Sequence, residues 1–112
     1  MPDDDPNAAN LALCKATLET AGVEVIDFPF LSRFDAEGRT FIASYLNFYV
    51  CNGAVLVPVA GAEPDKDDAA LRALAGHWPD REVIGIPMRA APMQGGAIHC
   101  LTQQVPALPD SP

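Results

Sequence analysis

Residues 94–104 read Gln-Gly-Gly-Ala-Ile-His-Cys-Leu-Thr-Gln-Gln, and they hold the side chains best suited to covalent chemistry. A cysteine thiolate is intrinsically nucleophilic and needs only modest activation. Gly95 and Gly96, just before Cys100, let the backbone pass close to a ligand or adopt angles closed to other residues. The run 97–102 is β-prone. As a strand it would set Ile98, Cys100 and Thr102 on one face and Ala97, His99 and Leu101 on the other. The same alternation turns His99, the adjacent candidate base, away from the thiol. By themselves these residues leave two roles open for Cys100: a nucleophile, or a small buried hydrophobe, the commoner use of a lone strand cysteine.

A second polar residue stands out at Asn47. The run 41–51 carries a strong β signal and Asn52-Gly53 a strong hairpin signal, with 54–58 as an almost wholly apolar return strand buried on both faces. Asn47 falls inside the first of these, alternating with Tyr45 and Tyr49 against Leu46, Phe48 and Val50. A buried amide without partners costs about 1–3 kcal/mol. It therefore bonds either to a neighbouring loop, the commoner outcome, or to a ligand.

The elements that would position these residues are legible by pattern. Asp5 and Pro6 suit a helix start, Leu11, Cys14, Leu18 and Ala21 recur at helical spacing, and Gly22 closes the helix; Cys14 on that stripe is expected in the core. Residues 23–28 read as a strand ended by Pro29, and 30–39 as an exposed loop that Phe30 and Phe34 anchor. Pro64 and Asp65 open a second helix with Asp67 and Asp68 in its first turn, Leu71, Leu74 and Ala75 buried, and Gly76 and Pro79 as the stop. His77 is expected as a surface cation at its end, and Trp78 as the residue that packs it down. Residues 82–86 form a short buried strand. Ala91-Pro92 argues against a helix between 87 and 94. The order of elements is that of an α/β architecture.

Composition narrows the function classes. The chain has 112 residues, one domain's worth, with 49% hydrophobic and 20% charged residues, as in an ordinary globular protein. A net charge of −8 argues against nucleic acid, whose phosphates it would repel, and is compatible with a cationic small molecule. Three cysteines, Cys14, Cys51 and Cys100, fit a reducing compartment better than a disulfide framework. With His77 and His99 they lack zinc-ligand spacing, so no metal is expected. No signal peptide or bilayer-spanning run is apparent, which makes the cytoplasm the expected location and a membrane partner unexpected.

The run GGAIHCLTQQ resembles the C-terminal signature of the agmatine deiminase family, which includes the bacterial peptidyl-arginine deiminases. That signature reads Gly-Gly-Gly-Asn-Ile-His-Cys, a hydrophobic residue and Thr-Gln-Gln. The likeness extends through Pro79-Asp80-Arg81-Glu82-Val83-Ile84-Gly85-Ile86, through Ala43-Ser44-Tyr45-Leu46-Asn47-Phe48-Tyr49-Val50 with Asn52-Gly53, and to Asp5-Pro6-Asn7. It implies one blade, with the preceding helix and strand, of a five-bladed pseudo-symmetric α/β propeller. Residues 1–5 would be a disordered acidic lead-in, 6–105 the C-terminal part of the propeller and 106–112 a Pro-rich tail. Family members are several times longer, so the chain resembles a C-terminal fragment.

The same resemblance implies a hydrolase of putrescine biosynthesis that converts agmatine to N-carbamoylputrescine and ammonia, without a cofactor. Cys100 would be the nucleophile, Gly95 and Gly96 backbone contacts for substrate, and Asn47 a supporting residue. The family's general-base histidine and guanidinium-binding acids precede the region covered here, so the isolated chain is expected to be inactive. Gln94 and Ala97 replace the usual glycine and asparagine, which bears on substrate fit. The alternatives are a peptidyl-arginine deiminase and a non-catalytic α/β interaction module. A blade taken from a closed ring would expose strand edges and apolar surface, so self-association or pairing with a chain supplying the missing blades is expected.

Overall fold

The computed structural model describes Asp5, residues 7–93 and residues 95–109. Residues 1–4 of the expected lead-in 1–5, Pro6, Gln94 and the last three residues of the tail lie outside the described residues. The order is α1 (Ala8–Thr20), β1 (Ser32–Ala36), β2 (Arg39–Ala43), β3 (Tyr49–Cys51), β4 (Ala54–Val59), α2 (Pro64–His77), β5 (Glu82–Pro87), α3 (Ala90–Met93) and a 3₁₀ turn, His99–Leu101. The chain is thus α/β, with a two-stranded and a three-stranded sheet.

The larger sheet has the order β3-β4-β5. Asn52-Gly53 turns the chain between β3 and β4 as expected, pairing Cys51 with Ala54 in an antiparallel ladder. Parallel pairing of β4 with β5 requires a crossover, which α2 supplies. Central strand β4 buries Val55, Val57, Pro58 and Val59. Proline cannot donate to a ladder, and β3 pairs no further along β4 than Leu56, so Pro58 faces no β3 residue. Val55, Val57 and Val59 pack with Tyr45, Ala70 and Leu74 in one core, against which Phe28, Phe30, Phe48 and Trp78 lean. Trp78 meets Phe48 edge-on at 5.1 Å and so packs down the end of α2. Gly85 admits that helix closely: a Cβ there would lie 3.2 Å from Leu71.

Several expectations fail where tertiary contacts decide. Residues 23–28 form no strand, because no neighbouring strand runs beside them to complete a ladder; Phe28 and Phe30 pack on the core instead. The expected loop 30–39 contains a hairpin. Glu37 and Gly38 both take positive φ, 54° and 70°, the two-residue turn that matches strand twist, and Phe34 stacks on Phe41 across it at 5.6 Å. That stack, with Ala43 and Ala60, forms a second core. The long β run 41–51 is interrupted by a turn at residues 45–47. A short helix, α3, does form across Ala91-Pro92, since proline is tolerated in a helix's first turn. Ala75 is exposed, and Asp67 and Ala70 take the buried places on α2 beside Leu74.

The largest departure is α1. Its start lies at Ala8, with Asn7 as cap residue, and Asp5 accepts a 2.8 Å bond from the Asn7 N–H. Its end is a Schellman motif: Gly22 at φ 83° lets its own N–H reach the Glu19 carbonyl and that of Val23 the Leu18 carbonyl. Yet no residue of α1 is buried; Leu11, Leu13, Leu18 and Cys14 are exposed, so Cys14 is not a core residue.

Candidate active site

Two segments distant in sequence meet at the site. The first is the turn that breaks the long β run, where the Asn47 N–H donates to the Ser44 carbonyl at 3.2 Å. The second is the loop after α3. There Gly95, at φ 86°, donates its N–H to Pro92, and Ala97 and Ile98 are buried as the anchor of the loop. Residues 97–102 are therefore not a strand. They turn through the 3₁₀ turn His99–Leu101, with Leu101 and Thr102 bonding back to Ile98 and His99. The buried pair Ala97-Ile98 pins this segment in a turn.

Asn47 binds this turn at three points. Its carbonyl accepts the His99 N–H at 3.2 Å, its side-chain Oδ1 accepts the Cys100 N–H at 3.2 Å, and its Nδ2 donates to Cys100 Sγ at 3.1 Å. The amide thus satisfies both ends of one cysteine, which fixes its flip state by chemistry. Donation to sulfur favours the thiolate. The Asn47 amide first, then the Ala97 backbone and last the backbone of Cys100 itself hold the thiol below its ordinary value, against a smaller opposing push from burial. Cys100 is nonetheless exposed, so a thiolate-prone sulfur faces solvent. Gly96 makes room for it: a Cβ there would lie 3.3 Å from the Cys100 Cβ and 3.6 Å from Sγ.

Where Asn47 and His99 meet, Ser44, Leu46, Asn47 and His99 line an open depression of about 240 Å³. Sites that enclose small molecules span about 300–1,000 Å³, so this surface cups one side of a ligand without enclosing it. His99 is exposed, and its Nε2 lies 3.5 Å from Gln104 Nε2. The strand alternation that turned His99 from the thiol does not exist here, but among the described residues its ring makes no hydrogen bond to Cys100. Cys14 lies on α1 and Cys51 is half-buried with its thiol toward the Ala54 carbonyl; neither joins the site. Among the described residues no three of the histidines, cysteines and acids cluster as metal ligands, and no helix is long and apolar enough to cross a membrane.

Pattern reading underrated one residue. Asp67, expected as an exposed first-turn acid, is buried, with Oδ1 accepting the Tyr45 hydroxyl at 2.7 Å and Oδ2 the Gly61 N–H at 3.2 Å. A first-turn aspartate carries no mark that distinguishes this role from a favourable dipole contact.

The chain is similar in sequence and fold to known proteins. The chain is 46% identical over 72 residues to agmatine deiminase from Medicago truncatula, a match covering 63% of the chain and 19% of that protein. It superposes on C. jejuni agmatine deiminase with a TM-score of 0.71 at 26% identity, over 89% of this chain and 31% of that one. A cysteine-to-serine form of the same enzyme with substrate bound gives 0.70 at 25% identity, over 88% and 29%. The chain therefore spans about a fifth of its curated relatives' length. The family model described as Porphyromonas-type peptidyl-arginine deiminase matches residues 2–106, nearly all of the sequence, and the chain belongs to that family.

Proposed function

We propose that this chain supplies the nucleophile side of a deiminase centre, with Cys100 attacking the guanidinium carbon of agmatine. The observation that carries the reading is the Asn47 clamp, which orients Cys100 by its N–H and favours its thiolate through Nδ2. The sulfur forms a bond to the guanidinium carbon, a proton moves to one nitrogen, and ammonia departs to leave a thiouronium. Water then adds to the same carbon and expels the thiolate. N-carbamoylputrescine and ammonium result, with one water consumed.

The remaining parts come from outside these 112 residues. The depression lined by Ser44, Leu46, Asn47 and His99 is open, and among the described residues no carboxylate lines it to take the planar fork of a guanidinium. A proton-transfer histidine and guanidinium-binding acids would close the site from other blades of a five-bladed propeller, of which this chain forms the last. Gly96 would keep the approach to sulfur open, and the backbone of Gly95 and Gly96 would line it. The description of the matching family favours peptidyl-arginine as a second substrate class.

Ammonia release tests both. The chain alone should release no more from agmatine than its Cys100→Ala variant. Joined behind the upstream two-thirds of C. jejuni agmatine deiminase, it should give turnover that disappears with Cys100→Ala. Turnover that survives that substitution sinks the reading; preference for a blocked peptidyl-arginine over agmatine selects the second substrate class.

A further inference from the structure

Asn47 can hold Cys100 only if its own turn is held, and the turn has an anchor two residues earlier. Tyr45 is fully buried and donates its hydroxyl to Asp67 Oδ1 at 2.7 Å. Asp67 sits in the first turn of α2, only 6% exposed, and its other oxygen takes the Gly61 N–H from the loop that follows β4. One carboxylate therefore joins the site turn, the loop after the central strand and the crossover helix. Around it, Tyr45 packs with Val55, Val57, Val59, Ala70 and Leu74, and its ring stands 6.5 Å from that of Phe28.

We propose that Tyr45 and Asp67 are positioning residues for the centre: their buried hydrogen bond sets the 44–47 turn at the height where Asn47 meets Cys100. The inference rests on the Asn47–Cys100 clamp proposed above. A buried bond is suited to the task because a carboxylate in low dielectric holds its donors tightly and tolerates no loss of one. The three contacts of Asn47 with the 3₁₀ turn are all near 3.1–3.2 Å, so a displacement of about half an ångström in the turn lengthens them together and breaks the two to oxygen.

Peptide-resolved alkylation by iodoacetamide, followed against pH in the 112-residue chain, reads the thiol without requiring turnover. Cys14, on the separate helix α1, serves as internal control. Tyr45→Phe keeps the ring and removes the hydroxyl. It should slow Cys100 alkylation at pH 7 about threefold, moving its pH midpoint up, while Cys14 is unchanged. Asp67→Ala should reproduce this from the helix side. Asp67→Asn, which retains an acceptor for Gly61 and an amide able to meet the Tyr45 oxygen, should stay closer to wild type. A folded Tyr45→Phe or Asp67→Ala protein with lowered thermal midpoint and wild-type Cys100 profile would reduce the pair to core stabilisation and overturn the proposal. Asn47→Ala separates the two levels. If it leaves the Cys100 profile unchanged, the clamp itself is wrong; if it shifts the profile and neither anchor variant does, only the present inference falls.

Discussion

Cys100 differs from an ordinary exposed cysteine in one respect, the donors aimed at its sulfur. Because its pKa in the folded chain is lowered, the folded thiol is more ionised than an unfolded one at any pH below the ordinary thiol range. The gap narrows as pH rises through the ordinary thiol pKa of about 8.5 and closes well above it, where both are thiolates. At pH 7 folded Cys100 should therefore react with iodoacetamide faster than in urea, and equal rates would remove the activated thiol. Asn47→Ala should remove the largest part of that advantage, leaving the share held by the Ala97 backbone, with Cys14 untouched. Gly96 acts by absence. Gly96→Ala places a methyl within contact of Cys100, and should lower its reactivity several-fold with little change in thermal midpoint. Gly95 is limited by its backbone instead: at φ 86°, Gly95→Ala should cost about 1–2 kcal/mol in denaturant unfolding although space is free.

Elements divide between those that carry the fold and one that does not yet bury anything. Leu74 lies on α2 against the β4 valines at 2% exposure, so Leu74→Ala should destabilise by about 2–5 kcal/mol in urea unfolding. Leu13 on α1 is 67% exposed, and Leu13→Ala should fall within about 0.5 kcal/mol of wild type. Pattern alone placed Leu74 on the buried stripe of α2 and left Leu13 off the apolar stripe of α1. It located α2, β4, β5 and the Asn52-Gly53 turn because local chemistry and burial agree there. It misplaced residues 23–28 and 97–102, where β-prone side chains find no strand to pair with.

At the scale of the molecule, the radius of gyration is 16.1 Å, against about 13 Å for a compact chain of this length. The excess goes with the apolar residues left open on α1, where Leu11, Leu18, Val25, Cys14 and the stems of Lys15 and Asp27 line a groove. Lys15 and Asp27 clasp one end of it at 2.9 Å, an exposed pair of little energetic weight. Burying this face needs more polypeptide than these residues supply. In sedimentation, the purified chain should run heavier than its 11.9 kDa, and Leu11→Lys with Leu18→Lys should shift it toward monomer. A monodisperse monomer at tens of micromolar would show that the exposed face is tolerated in water.

The sequence by itself determined the α/β class and the family, and singled out Cys100 as the candidate nucleophile, because these depend on local pattern and on residue types in order along the chain. It also drew attention to Asn47 as a polar residue in an apolar run. Only the tertiary structure decided what Asn47 does. Its amide meets Cys100 because a turn interrupts one β-prone run and the second ends in a 3₁₀ turn, and both departures are set by burial of Tyr45, Ala97 and Ile98. Hydrogen bonds between residues 53 apart in sequence carry no local signature; they exist once two separate segments are packed against the same core.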